Sequence, residues 1–183
     1  HKWVDLSEKT HGVALLSKQS YGYSAKGNTL TLSLLRAPTY PSPQADRGEH
    51  DFSYALLPHA GGYEQGKVIE EGYALHQSLI AERSEQVCDK LDDHFSLVEA
   101  TGDGVVIETI KKCEERASLI LRLISMAGRD GVSTLRLALP VKQVWICNLV
   151  EERIEQLPVS EQMVEIAMKG HEIVSVELVL NDE

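Results

Sequence analysis

The chain has 183 residues, 43% of them hydrophobic, enough to fill the core of one large domain or two small ones. Its formal charge is −10, from 18 basic and 28 acidic residues, and its mean field therefore repels a phosphate backbone or an anionic membrane surface. Aromatic residues make up only 5%, too few for a base-stacking platform, so nucleic acid and membrane are both excluded as partners.

Three cysteines, Cys88, Cys113 and Cys147, stand far apart with no CxxC pair. That spacing offers neither a disulfide framework nor a zinc ribbon and fits a reducing, cytoplasmic compartment. No apolar run approaches the roughly 18 residues of a membrane span, and no signal-peptide segment opens the chain. The first residue is His1 rather than Met, as expected of a processed product, a tag remnant or an excised fragment.

In chain order, KWVDLSE, GVALLSK and YGYSA are strand candidates, with Trp3, Leu6, Val13 and Leu15 directed inward. Thr29 to Arg36 follows, and the strict alternation from Thr29 to Leu34 places Leu30, Leu32 and Leu34 on one face of a half-buried strand. Pro38, Pro41 and Pro43 then forbid the ladder from continuing and predict a stiff loop that ends in Asp46, Arg47, Gly48, Glu49 and His50. A second strand is predicted from Asp51 to Leu57, stopping at Pro58. The period then changes: Val68, Gly72, Leu75 and Leu79 recur at helical spacing and predict one helix over 64–79. Residues 82–93, dense in charge, read as a linker, the boundary being placed at 83–93. Beyond it HFSLVEA, GVVIETI, SLILRLISM, VSTLRLALP, VWICNLV, MVEIAM and HEIVSVELVL read as strands of a small antiparallel sandwich. The expected fold is mainly β, with domains at 1–82 and 94–183.

No phosphate loop, GxGxxG, HExxH, GxSxG or kinase signature occurs. The doublets Glu70-Glu71, Asp92-Asp93, Glu114-Glu115 and Glu151-Glu152 read as solvated turns, because adjacent strand residues point to opposite faces and cannot both reach one glycosidic bond. The spacings of His50, His59 and His76 match no zinc signature, and Cys113 and Cys147 read as packing residues near strand ends. The Asp46–His50 cluster has two readings. A stiff scaffold presents it to a ligand, or it caps its own loop through Asp46 with an Arg47–Glu49 surface pair.

The wording of KWVDLSE, of GVALLSKQSYGYSAKGNTLTLSLLRAPTYPSPQADRGEHDFSYALLPHAG, of VVIETIKK and of LPVKQVWICNLVEE resembles the C-terminal region of family 38 glycoside hydrolases, the class II α-mannosidases, and most of all their cytosolic type. The resemblance implies that 1–82 is the end of a large β super-sandwich including a short helix, and 94–183 a small terminal β-sandwich. It implies a parent that is a retaining α-mannosidase, with zinc and the aspartate nucleophile on an upstream catalytic domain. No catalytic residue, metal ligand or cofactor is expected in this chain. Family members place an Arg-Gly pair in the corresponding loop to help bind sugar, which Arg47-Gly48 matches; Asp46, Gly48 and His50 match the cytosolic D-x-G-x-H pattern. The implied partners are the upstream catalytic domain and a mannose-containing oligosaccharide, and the piece is expected to self-associate. The competing reading is an autonomous carbohydrate-binding or protein-interaction sandwich module.

Overall fold

The computed structural model describes residues 2–83, 94–102 and 104–181. It divides into two compact units, His1–Arg83 and Ser84–Glu183. The predicted linker falls almost wholly on 84–93, outside the described residues.

In the first unit, β1 (Trp3–Ser7), β2 (His11–Ser17) and β5 (Tyr54–Ala60) form an antiparallel sheet with β2 in the middle. The hairpin of β3 (Gly22–Lys26) and β4 (Thr29–Ser33) forms a separate two-stranded sheet, with Lys26 opposite Thr29 and Gly27 at positive φ in its tight turn. A period of two gives the three-stranded sheet two distinct faces. On one, Trp3, Ala14, Leu16, Ala55 and Leu57 line up across the ladder and pack with Val68 and Leu75 of α1 (Val68–His76). Trp3 stacks on Tyr63, and a Cβ at Gly72 would come within 2.8 Å of the Trp3 ring, so the glycine lets the helix lie close to β1.

Four expectations for this unit are corrected. Val13 faces outward, because Ala14 and Leu16 take the helix-covered side and the register leaves Val13 beside Leu6 and Pro58. The strand after the turn ends at Ser33 rather than Arg36, because its partner β3 begins opposite that residue at Gly22. β5 runs through Pro58 to Ala60. It is an edge strand, where alternate N–H groups face away from its one neighbour, so a proline is tolerated opposite Val13. The helix is shorter than 64–79: residues 63–67 are turns ending at Lys67 in the left-handed region, and Gln77 is extended. Leu79 therefore lies outside it, fully exposed.

The second unit is a two-sheet sandwich. One sheet has the order β11 (Arg153–Leu157), β10 (Val141–Cys147), β13 (Ile173–Leu180), β8 (Leu119–Ser125), β7 (Val105–Lys112). The other has the order β12 (Met163–Met168), β9 (Gly131–Leu137), β6 (Val98–Thr101). Every pairing is antiparallel. Leu121, Leu123, Val144, Val176 and Leu178 from the first sheet meet Leu135, Leu137, Val164 and Ile166 from the second in one core. The expected fold class, antiparallel and mainly β with one short helix, is what the chain adopts. Among the described residues eight strands rather than seven build the second unit. The unexpected one, β11, is an edge strand with Arg153, Ile154, Glu155 and Gln156 all exposed, so it carries no apolar alternation to betray it.

Candidate functional site

The proline-rich segment between β4 and β5 is tied shut at its base. Asp46, at φ 57, turns its carboxylate back so that the Ala37 N–H donates to Oδ2 at 3.1 Å. Inside that clasp the Ala45 N–H donates to the Ser42 carbonyl and the Arg47 N–H to the Gln44 carbonyl, two successive tight turns. His50 Nε2 donates to the Asp46 carbonyl at 3.0 Å, and its ring stacks on Phe52, centroids 6.0 Å apart. In the neutral ring that donation leaves Nδ1 as an acceptor, and in the charged ring as a second donor. Gly48, at φ 139, has open space where a Cβ would be, so its backbone angle rather than crowding calls for glycine.

The five residues thus divide by task. Asp46 and His50 shape the loop, Gly48 turns it, and Arg47 and Glu49 stand exposed with no ion pair between them among the described residues. The capping reading is present in Asp46 and absent in the Arg47–Glu49 pair. A rigid frame holding one cation, one anion and an imidazole in exposed positions can orient a polyhydroxylated ligand.

The histidines considered together lie apart in role. His59 Nε2 meets Asp5 Oδ1 at 2.8 Å beneath the helix-covered face, both side chains almost fully buried, and the pairing raises the His59 pKa. His76, in the last turn of α1, donates from Nε2 to the Ser17 carbonyl at 2.8 Å. Among the described residues no three His, Cys, Asp or Glu side chains converge as a metal site.

The second unit holds a charge cluster that sequence reasoning missed. Glu177, on the sheet face opposite the core, is fully buried. Arg153 donates to it from Nε and Nη2, Arg116 from Nε at 2.9 Å and Ser118 from Oγ at 2.6 Å. Arg153 also lies over the Trp145 ring. Arg153 first, then Arg116 and Ser118, hold the Glu177 carboxyl down at about 2 against the opposing effect of burial. The doublet Glu151-Glu152 is not a solvated turn throughout: Glu151 is buried, at φ 68, accepting from Lys111 Nζ at 2.7 Å and from the Glu114 N–H at 2.8 Å. Lys111 and the Glu114 amide bring its carboxyl to about 2 as well. A lone glutamate in the apolar run IVSVELVL was the available signal, since a central strand with both faces covered must satisfy any charge it carries. Cys147 ends β10 beneath this cluster, buried, and burial pushes its thiol pKa up; Cys113 is buried too. Neither thiol is poised as a nucleophile.

Both buried carboxylates are held by cations, and the fold around them is that of an antiparallel β-sandwich region. The sequence matches two family models, "Glycosyl hydrolases family 38 C-terminal domain" over residues 1–44 and "Glycosyl hydrolases family 38 C-terminal beta sandwich domain" over residues 104–176. The chain belongs to glycosyl hydrolase family 38, as part of its C-terminal β region.

Its relatives include alpha-mannosidase 2C1 of Mus musculus, 40% identical over 84% of this chain, and alpha-mannosidase 2C1 of Homo sapiens, 36% identical over 98% of it. The chain spans 15% and 18% of those two proteins. Among solved structures, an alpha-mannosidase from Enterococcus faecalis V583 superposes with a TM-score of 0.78 at 17% identity, over 97% of this chain and 20% of that one. That likeness establishes the fold.

Proposed function

We propose that this chain is the non-catalytic C-terminal β region of a cytoplasmic, retaining α-mannosidase, packing on an upstream catalytic domain and lending it the Asp46–His50 loop as one wall of the mannose site. The observation that carries the reading is the clasp between Asp46 and Ala37, which costs the loop its freedom while Arg47, Glu49 and His50 stay exposed. Holding polar groups in place before a ligand arrives is how a scaffold adds to transition-state binding without chemistry of its own. The relatives are named as α-mannosidases and are several times longer than this chain, which supports a division of labour between parts of one polypeptide. Zinc and the nucleophile belong, in this reading, to the upstream domain, and the substrate is a mannose-containing oligosaccharide.

The test compares two proteins. The 183-residue chain alone is expected to leave an aryl α-mannoside intact, while the longer polypeptide hydrolyses it. In the longer polypeptide, Arg47→Ala and Glu49→Ala are each expected to lower kcat/KM about tenfold, roughly 1.4 kcal/mol of transition-state stabilisation. Hydrolysis by the chain alone, or loop variants indistinguishable from the parent, would overturn the proposal.

A further inference from the structure

Both units carry cavities of ligand size, and three of them compete. The one bounded by Leu6, Val13, Leu15, Leu30 and Leu56, about 480 Å³, is mostly apolar and offers little to a hydroxyl. The one around Lys111, Arg116 and Glu151, about 540 Å³, is polar, but those three groups are already engaged with one another or with Glu177. The third, about 890 Å³, is a groove bounded by Gln19, Tyr21, Leu34, Arg36 and Phe52. That volume lies within the range of small-molecule sites, and its mixture of aromatic, apolar and a few polar groups is of the usual kind.

The groove is built from elements that the chain fixes independently. One wall is the connection from β2 to β3. It is pinned where the Lys18 N–H donates to the Ser53 carbonyl, the Ser53 N–H to Gln19 Oε1 at 3.0 Å, and the Ser20 N–H to Ser17 Oγ. Since Gln19 spends its oxygen on the backbone, its NH₂ remains as a donor pair. The other wall is the run Leu34–Arg36 that leaves β4. The groove adjoins the candidate loop at both of the loop's roots: Arg36 immediately precedes Ala37, the residue clasped by Asp46, and Phe52 stacks on His50. Tyr21 is 68% exposed at the rim.

We propose that this groove is a second sugar subsite, binding a neutral pyranose next to the one the loop would face. The apolar C–H face of the ring lies on the Tyr21 aromatic face, whose negative quadrupole attracts it. The Arg36 guanidinium, a rigid fork of donors, spans two neighbouring hydroxyls, and the Gln19 amide donates to a third. An oligosaccharide held by both groove and loop would be gripped over two rings, which favours chains over single sugars. The inference rests on the reading of the loop as sugar-facing, and its test is chosen to separate the two.

The 183-residue chain is titrated with methyl α-D-mannopyranoside and with its α-linked disaccharide, following the ring resonances of Tyr21 and Phe52 and the Arg36 Nε–H by NMR. Saturable shifts at all three are expected, stronger for the disaccharide, with affinity falling about tenfold in Tyr21→Leu. Arg36→Lys, which keeps the charge and loses the fork, is expected to weaken binding in the same sense. Silence at these resonances, or shifts unchanged in both variants, overturns the groove. If the groove is silent while Arg47→Ala still impairs hydrolysis by the longer polypeptide, the groove alone is overturned. If the groove binds while the loop variants are neutral in hydrolysis, the subsite stands and the loop reading falls.

Discussion

Arg153 grips Glu177 at two points, Nε on Oε2 at 2.7 Å and Nη2 on Oε1 at 2.9 Å, across the edge of a sheet whose opposite face is the sandwich core. A carboxylate taken wholly out of water is tolerable only when its acceptor sites are filled. Arg116, Ser118 and the weak Cys147 donor fill the remainder. The cluster thereby closes the outer face of the five-stranded sheet, drawing Arg116 from the β7–β8 connection and Arg153 from β11 onto the central strand β13.

Removing the carboxylate leaves two guanidinium groups facing each other without a counterion. Glu177→Ala is therefore expected to destabilise the second unit by about 3–5 kcal/mol, the usual cost of breaking a buried pair from one side. Glu177→Gln, which keeps the shape and some acceptor capacity, should cost less. Urea unfolding followed by Trp145 fluorescence in a Trp3→Phe background reads this unit alone; a loss below about 1 kcal/mol for the alanine variant would show the cluster to be a surface ornament.

The same groups set an acid limit. Glu177 and Glu151 both have carboxyls depressed from 4.5 to about 2 in the folded chain. A depressed carboxyl contributes stability that is present above its unfolded value and lost as pH falls through the folded one. The second unit should hold its full stability down to about pH 4.5 and lose it steeply towards pH 2, with the fall flattened in Glu177→Gln. Unfolding midpoints measured across that window test it, and parallel curves for parent and variant would refute the assignment.

Much of the scaffold could be read from the sequence, and the exceptions have physical causes. Thr29–Ser33 alternates cleanly because one face is wetter than the other, so its strand was visible. β11 was invisible because an edge strand with exposed Arg153, Ile154 and Glu155 has no apolar face to display. Val13 was placed inside because a valine in an apolar run looks buried, whereas the side on which α1 lands is fixed only by tertiary packing through Ala14, Leu16 and Val68. At the candidate loop, the prolines and the Asp46–His50 string were visible. A cap through Asp46 was one of the two readings, but its partner, the Ala37 amide nine residues back, was not legible, since the clasp depends on a positive φ at both residues. The Glu177 cluster joins residues from four parts of the chain, and only long-range register brings them together.

His59 and Asp5 run in the opposite pH sense. The Asp5 hydrogen bond, outweighing burial, raises the His59 pKa above 6.5. A raised imidazole contributes stability that is fully present below its unfolded value and lost as pH rises through the folded one. The first unit should therefore melt at a lower temperature once pH passes about 6.5 and continues through the raised value, and Asp5→Asn should abolish the trend. The His59 Hε1 resonance gives the titration directly; a midpoint at or below the free value would contradict the pairing. The ring sits between two glycines, and a Cβ at Gly66 would come within 2.4 Å of it. Gly66→Ala should then cost about 1–3 kcal/mol by overpacking, independent of pH.

On the face of the three-stranded sheet away from α1, Leu6, Val13 and Pro58 stand side by side across the ladder, as do Val4, Leu15 and Leu56; Leu15 is buried, but Leu56 is 67% exposed. β1 and β5 are open edges, so apolar surface and unpaired backbone groups coincide on one element. The 183-residue chain should associate with itself as its concentration rises. Leu56→Lys places a charge in the middle of that face without touching the helix-covered side, and should shift the equilibrium towards monomer while leaving the melting temperature of the second unit unchanged. Sedimentation velocity over a hundredfold concentration range distinguishes the outcomes, and a parent chain monomeric throughout would show that the β3–β4 hairpin already shields this face well enough.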